Sequence, residues 1–199
     1  MSESLDELLR ALEAVDRVGS GELLAVARTH DRVPLGEALW RSFVDAPDES
    51  AREHRAWLLK QLASPTSWAE IARAATGPSL PAQTRRYLVE ALDRLAFARD
   101  VGWGELGATA RALLSEPDAG LREAAVGVVV SLPLASETTA LLERACRDED
   151  AQVVLAALNG LEQKRLDVSV IAAALESDPR PGVQKRAAQI LARRRRRPN

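Results

Sequence analysis

One pattern of large apolar and small residues recurs along the chain. LREAAVGVV from Leu121, VVLAALNGL from Val153 and VQKRAAQIL from Val183 superimpose Leu121, Val153 and Val183, then Ala125, Ala157 and Ala187, then Val129, Leu161 and Leu191. The spacings are 32 and 30 residues, and a period of that size marks a chain built from repeated supersecondary units. TRRYLVEALDRL from Thr84 and AREHRAWLLKQL from Ala51 fit the same frame more faintly, with Leu58, Leu59 and Leu62 over Ala91, Leu92 and Leu95.

The unit is read as a pair of helices. Pro, Gly, Asp and Ser cluster between segments about 10 to 16 residues long, the length of a short helix. Val153, Ala156, Ala157, Gly160 and Leu161 fall at i, i+3, i+4, i+7 and i+8, the stripe that one helix face buries. Sustained period-two alternation is absent, so the fold class is all-α. Ser4 with Glu7, Ser50 with Glu53, and Ser67 with Glu70 have the spacing of capping boxes. Asp118, Asp150 and Asp167 are placed to cap the helices that follow them. Between the recurring helices lies a second series: PLGEALWRSFV, SWAEIARAA, GWGELGATARALL, ETTALLERAC and DVSVIAAAL. A hairpin of about 30 residues cannot cover its own apolar face, so consecutive pairs must stack into a solenoid. Five pairs are expected over 34–193, with residues 1–33 as an N-terminal helical cap and 194–199 as a basic tail, all in one structural domain.

The second helices carry a family resemblance. Asp118-x-x-Leu121-Arg122-x-Ala124-Ala125 is similar to the pattern of HEAT repeats, within them the short bacterial repeats related to those of phycobilin lyases. Asp150-x-x-Val153-x-x-Ala156-Ala157 matches without the Arg, and in the last repeat Asp178 lies two residues too early. The resemblance implies a right-handed α-solenoid. It also implies a ladder of Asp and Arg between neighbouring repeats, in which Asp118 and Arg122 would be structural.

Little in the chain points to catalysis. His30 follows a short helix, where a cation suits the helix dipole, and His54 sits among Arg residues on a surface helix. Neither has a partner at the spacing of a triad or a zinc motif. Cys146 lies on an apolar helix face and reads as a buried thiol. Gly102-Trp103-Gly104 lacks the remaining elements of a phosphate loop. Asp148, Glu149 and Asp150 read as a solvated turn that also caps the next helix. Trp40, Trp57, Trp68 and Trp103 are expected to pack between layers, the alternative being exposed anchors in a recognition groove. No catalytic residue, metal or cofactor is expected.

Charge directs the functional expectation. The formal net charge is −2, but Arg193 to Arg197 conceal a body with 22 basic against 29 acidic residues. The N-terminus is acidic where a signal peptide is basic, and no apolar run approaches the roughly 18 residues of a membrane span. With one Cys, a reducing, cytoplasmic setting is expected. The ratio of 24 Arg to 3 Lys fits a high-GC bacterium, in which such small solenoids serve as adaptors or immunity-type partners, by analogy. The leading expectation is a non-enzymatic scaffold whose second helices line a concave groove that docks a protein segment. Arg52, Arg55, Arg85, Arg86, Arg122, Lys185 and Arg186 are the candidate contacts. The resemblance also leads to nucleic-acid binding or base excision like the HEAT-like alkylpurine DNA glycosylases, and to a helper subunit of a chromophore lyase. The run Arg193, Arg194, Arg195, Arg196 and Arg197 reads either as a site for an anionic partner or as a polar helix end.

Overall fold

The computed structural model describes residues 4–15, 20–98 and 101–196. Among these, the regular elements are helical. They are α1 (Leu5–Ala14), α2 (Gly21–Ala27), α3 (Arg32–Val44), α4 (Glu49–Leu62), a 3-10 turn (Pro65–Ser67), α5 (Trp68–Thr76), α6 (Ala82–Phe97), α7 (Trp103–Leu113), α8 (Ala119–Ser131), α9 (Ser136–Ala145), α10 (Ala151–Gln163), α11 (Ser169–Ala174) and α12 (Pro181–Arg195). Helices α1 and α2 precede α3. The chain divides into two compact units, Met1–Thr109 and Ala110–Asn199.

In the first unit α3 pairs with α4 and α5 with α6, and the second helices α4 and α6 lie against each other. Helix α1 covers α3 and α4. Its stripe of Leu8 and Leu12 is fully buried, as are Leu35 and Leu39 on α3, Leu58 and Leu59 on α4, and Leu88 and Leu92 on α6. In the second unit α8, α10 and α12 lie side by side, with α9 against both α8 and α10 and α11 against α12. Leu121, Val153 and Val183 form one buried row and Ala125, Ala157 and Ala187 another, so the sequence register is the packing register. Each fully buried Leu or Val contributes about 1.5 to 3 kcal/mol by leaving water.

The third row differs at its end. Val129 and Leu161 are buried while Leu191 is half-exposed, and among the described residues no further hairpin lies on α12. On α10 the buried arc is wider than the expected stripe: Val154 and Leu158 are also buried, and Ala156 is half-exposed. A helix flanked by α8, α9 and α12 has three faces to bury.

The caps partly depart from expectation. Ser4 and Glu7 form the full box on α1, and Asp118 and Asp150 cap α8 and α10. Ser50 does not cap α4, because Asp48 stands two residues earlier and its carboxylate accepts the Ala51 amide at 2.8 Å. Ser67 precedes α5 without a side-chain cap bond, since that helix grows out of the 3-10 turn that Ser64 caps. Asp167 accepts the Ser169 amide at 3.0 Å, although Val168 occupies the cap position of α11.

Two glycines mark close approaches. A Cβ at Gly36 on α3 would collide with the backbone and Cβ of Ser64, and one at Gly160 on α10 would collide with a Val130 methyl. Backbone cannot yield as a methyl can. Gly36→Ala should therefore destabilise by about 2 to 3 kcal/mol. Gly160→Ala should cost under about 1 kcal/mol, because the helix-propensity gain of about 1 kcal/mol offsets the displaced Val130. Paired urea melts measure the difference, and equal costs at the two positions would contradict the backbone approach.

Candidate partner-docking site

Every α-helix leaves its last carbonyls without an internal partner and carries partial negative charge at that end. The candidate contact arginines lie close to such ends. Arg55 donates to the Ser42 carbonyl in the last turn of α3 at 3.0 Å, and Arg52 to Ala46 just beyond it at 3.2 Å. Arg85, only 7% exposed, donates its Nε–H to Ala75 at the end of α5 at 2.7 Å. Arg122, 6% exposed, donates to Glu116 and Pro117 after α7 at 3.0 and 2.8 Å. These four guanidinium groups are staples within hairpins.

Arg122 also makes the inter-repeat bond, but with a partner other than Asp118. Its Nε and Nη2 bind both carboxylate oxygens of Asp148, each at 2.8 Å. Asp148 is therefore no solvated turn residue: its side chain is 13% exposed. Burial works to raise its pKa, and the Arg122 bonds with the Asp150 amide outweigh that and hold it below the usual range. One hairpin further on, Arg180 donates to the Asp148 and Glu149 carbonyls at 2.8 and 2.9 Å while clasping Asp178. Arg122, Asp148 and Arg180 thus link three successive hairpins. The early placement of Asp178 suits this clasp, since it holds Arg180 from two residues away.

The remaining candidates lie as follows. Arg86 is half-exposed and pairs with Glu90 one turn away at 3.3 Å. Arg186 pairs with Glu162, and Lys185 is exposed on α12. Arg193 lies 3.7 Å from Glu162, and Arg194 binds Asp167 and Ser169. Arg195 and Arg196 are exposed, and Arg197 lies outside the described residues. Cys146 is buried, and burial pushes its thiol up to about 12. His54 bonds the Leu12 carbonyl at 3.1 Å, tying α4 to α1. Among the described residues, no group of three or more His, Cys, Asp or Glu side chains is placed to hold a metal ion, and no helix is long and apolar enough to cross a membrane.

What the first unit presents outward is a mixed aromatic and charged surface on α4 and α6. Trp57 is half-exposed and stacks on His54, with ring centroids 5.8 Å apart. Lys60, one turn on, lies 5.7 Å from the Tyr87 ring centroid and 2.6 Å from Glu90 Oε2. Sequence reasoning passed over Lys60, Tyr87 and Glu90, although their spacings from Trp57 and from each other mark the outward stripes of two adjacent helices. Trp40 stacks on Phe43 within α3 and Trp68 is half-buried, as packing residues are, whereas Trp103 is 42% exposed.

No protein-family model and no curated protein sequence matches the chain. Solved structures do resemble it. A designed armadillo repeat protein in complex with the peptide (KR)4 has a TM-score of 0.57 at 11% identity, over 96% of this chain and 99% of that one. A crystal structure of an engineered protein has a TM-score of 0.55 at 14% identity, over 96% of each chain. At these identities the likeness is one of fold, an all-α solenoid of helical repeats.

Two predictions follow from the staples. Arg85→Ala leaves the Ala75 carbonyl without its donor and opens a buried space, so it should cost about 2 to 4 kcal/mol. Arg86→Ala, one residue on, should change stability by less than about 0.5 kcal/mol. Thermal melts of the two variants decide, and similar shifts would remove the distinction. The second concerns pH. Hydrogen bonds from Arg180 lower Asp178 from 3.8 to about 2, and those from Ser169 and then Arg194 do the same for Asp167. A depressed native pKa stabilises above the unfolded value and loses that contribution as pH falls through the native one. Stability should therefore drop between about pH 4 and pH 2, and Asp178→Asn should flatten that drop in melts taken across the window.

Proposed function

We propose that the chain is a non-enzymatic scaffold of HEAT-like repeats that docks a segment of a protein partner along the outward face of its second helices. The observation that carries this reading is the surface of α4 and α6. Trp57 and Tyr87 stand half-exposed on adjacent second helices, with Lys60, Arg86 and Glu90 beside them. Rigid aromatic rings flanked by charges are the composition of binding hot spots, because they bury large area at little entropic cost. The armadillo design of similar fold is in complex with the peptide (KR)4, which supports a protein-binding scaffold as the reading.

The same surface weakens the case for phosphate recognition. Arg52, Arg55 and Arg85 spend guanidinium donors on backbone carbonyls, and in the first unit 17 acidic residues oppose 13 basic ones. Protein–nucleic acid faces instead carry a clustered basic excess.

Peptides selected by display against the immobilised protein test the proposal. A Trp57→Ala/Tyr87→Ala variant should bind the selected peptides at least about 30-fold more weakly, since each aromatic anchor is worth roughly 1 to 2 kcal/mol. Its far-ultraviolet circular dichroism should match that of the parent. Selected peptides that bind the double variant as tightly as the parent would place docking elsewhere.

A further inference from the structure

The chain is electrically polar along its length. Residues 1–31 hold seven acidic and three basic side chains, whereas residues 164–199 hold ten basic and three acidic. In the last layer the cations are displayed by an ordered helix end. Glu162 and Asp167 hold Arg193 and Arg194, which leaves Arg195 and Arg196 exposed, and Lys185 is exposed on the same helix.

An apolar surface accompanies this charge. Helix α11 has no charged residue over its length, and Val170 is 80% exposed, with Ala173 and Ala174 exposed at i+3 and i+4. Aligning the buried residues Thr138 and Leu142 of α9 with Val168 and Ala172 of α11 puts Ala140, Glu143 and Arg144 at the same three positions. The preceding layer therefore wears charge where the last one is bare. Apolar surface left open to water on a repeat is surface that a neighbouring layer or a partner covers. The α1–α2 layer has a matching character: Val26 on α2 is 42% exposed, Glu22 is exposed one turn before it, and Asp6 is exposed on α1.

We propose that copies of this chain associate head to tail, the α11–α12 layer of one copy docking on the α1–α2 layer of the next. Val170 and its neighbours supply the apolar contact, and Lys185, Arg195 and Arg196 face the acidic first layer. Opposite charge on the two surfaces favours encounter and fixes orientation. The contact is heterologous, so an associated pair keeps one free surface of each kind. A nucleic acid would answer the cations but leave Val170 uncovered, which is why a second copy is the better occupant.

Sedimentation of the full chain tests this. The mass should exceed that of a monomer, rise with protein concentration at low salt, and fall as salt screens the contact. Asp6→Lys/Glu22→Lys disables one surface and Val170→Asp the other; both alter exposed positions, so melts should match the parent. Each variant alone should weaken association at least about tenfold. Mixed together they should form a one-to-one heterodimer, because each supplies the surface that the other lacks. A parent monomeric at every concentration, an association that survives either variant, or a mixture that stays monomeric would each overturn the proposal. So would tight duplex DNA binding, unaffected by Val170→Asp, in a parent that does not self-associate.

Discussion

Short helices joined by tight turns concentrate unsatisfied carbonyls, and this chain meets that constraint with arginine. A guanidinium offers five donors in a fixed plane and a positive charge that suits the helix C-terminus. Arg55, Arg85, Arg122 and Arg180 each place such a fork on the carbonyls at or just past the end of a first helix. Lys164 does the same for Leu132 at the end of α8, reaching it at 2.5 Å, and burial lowers its pKa. Apolar rows supply most of the stabilisation, but they are non-directional. The staples fix how far each hairpin turns back on itself, and hence which residues meet in the rows.

That constraint decides what is left for a partner. Arginines used inside hairpins are withdrawn from recognition, and the outward faces of second helices keep a different set: Trp57, Lys60, Tyr87 and Glu90 in the first unit, and Lys185 with the exposed end of α12 in the second. The charge excess that looked like a general property of the chain resolves into an acidic start and a basic finish. Docking on α4 and α6 draws on the first of these sets and stacking of end layers on the second, so the two contacts use different residues.

The architecture was legible because it repeats. Leu121, Val153 and Val183 stand in register in sequence and are buried in register in space, and a pattern copied several times outweighs local ambiguity. Caps were legible where one candidate stood alone, as at Asp118. At α4 two candidates competed within three residues, and spacing could not show that Asp48 rather than Ser50 would bond the amide. The site was harder to read because the decisive contacts are distant. Arg85 and Arg86 are neighbours with the same chemistry, yet one is buried on the Ala75 carbonyl and the other meets solvent. Helix phase separates them only once the position of α5 is known. Asp148 likewise looked like one acid among three, and its partner lies 26 residues away.

The central claim is that these arginines are internal staples, and their side-chain N–H groups report on it directly. Nuclear magnetic resonance of the arginine Nε–H signals should show dispersed, slowly exchanging resonances for Arg85, Arg122 and Arg180, whose Nε donors bind Ala75, Asp148 and Asp178. Arg195 and Arg196 should exchange at the rate of free arginine. Equal, fast exchange across all five would contradict the account, because guanidinium groups open to water cannot be holding the hairpins closed.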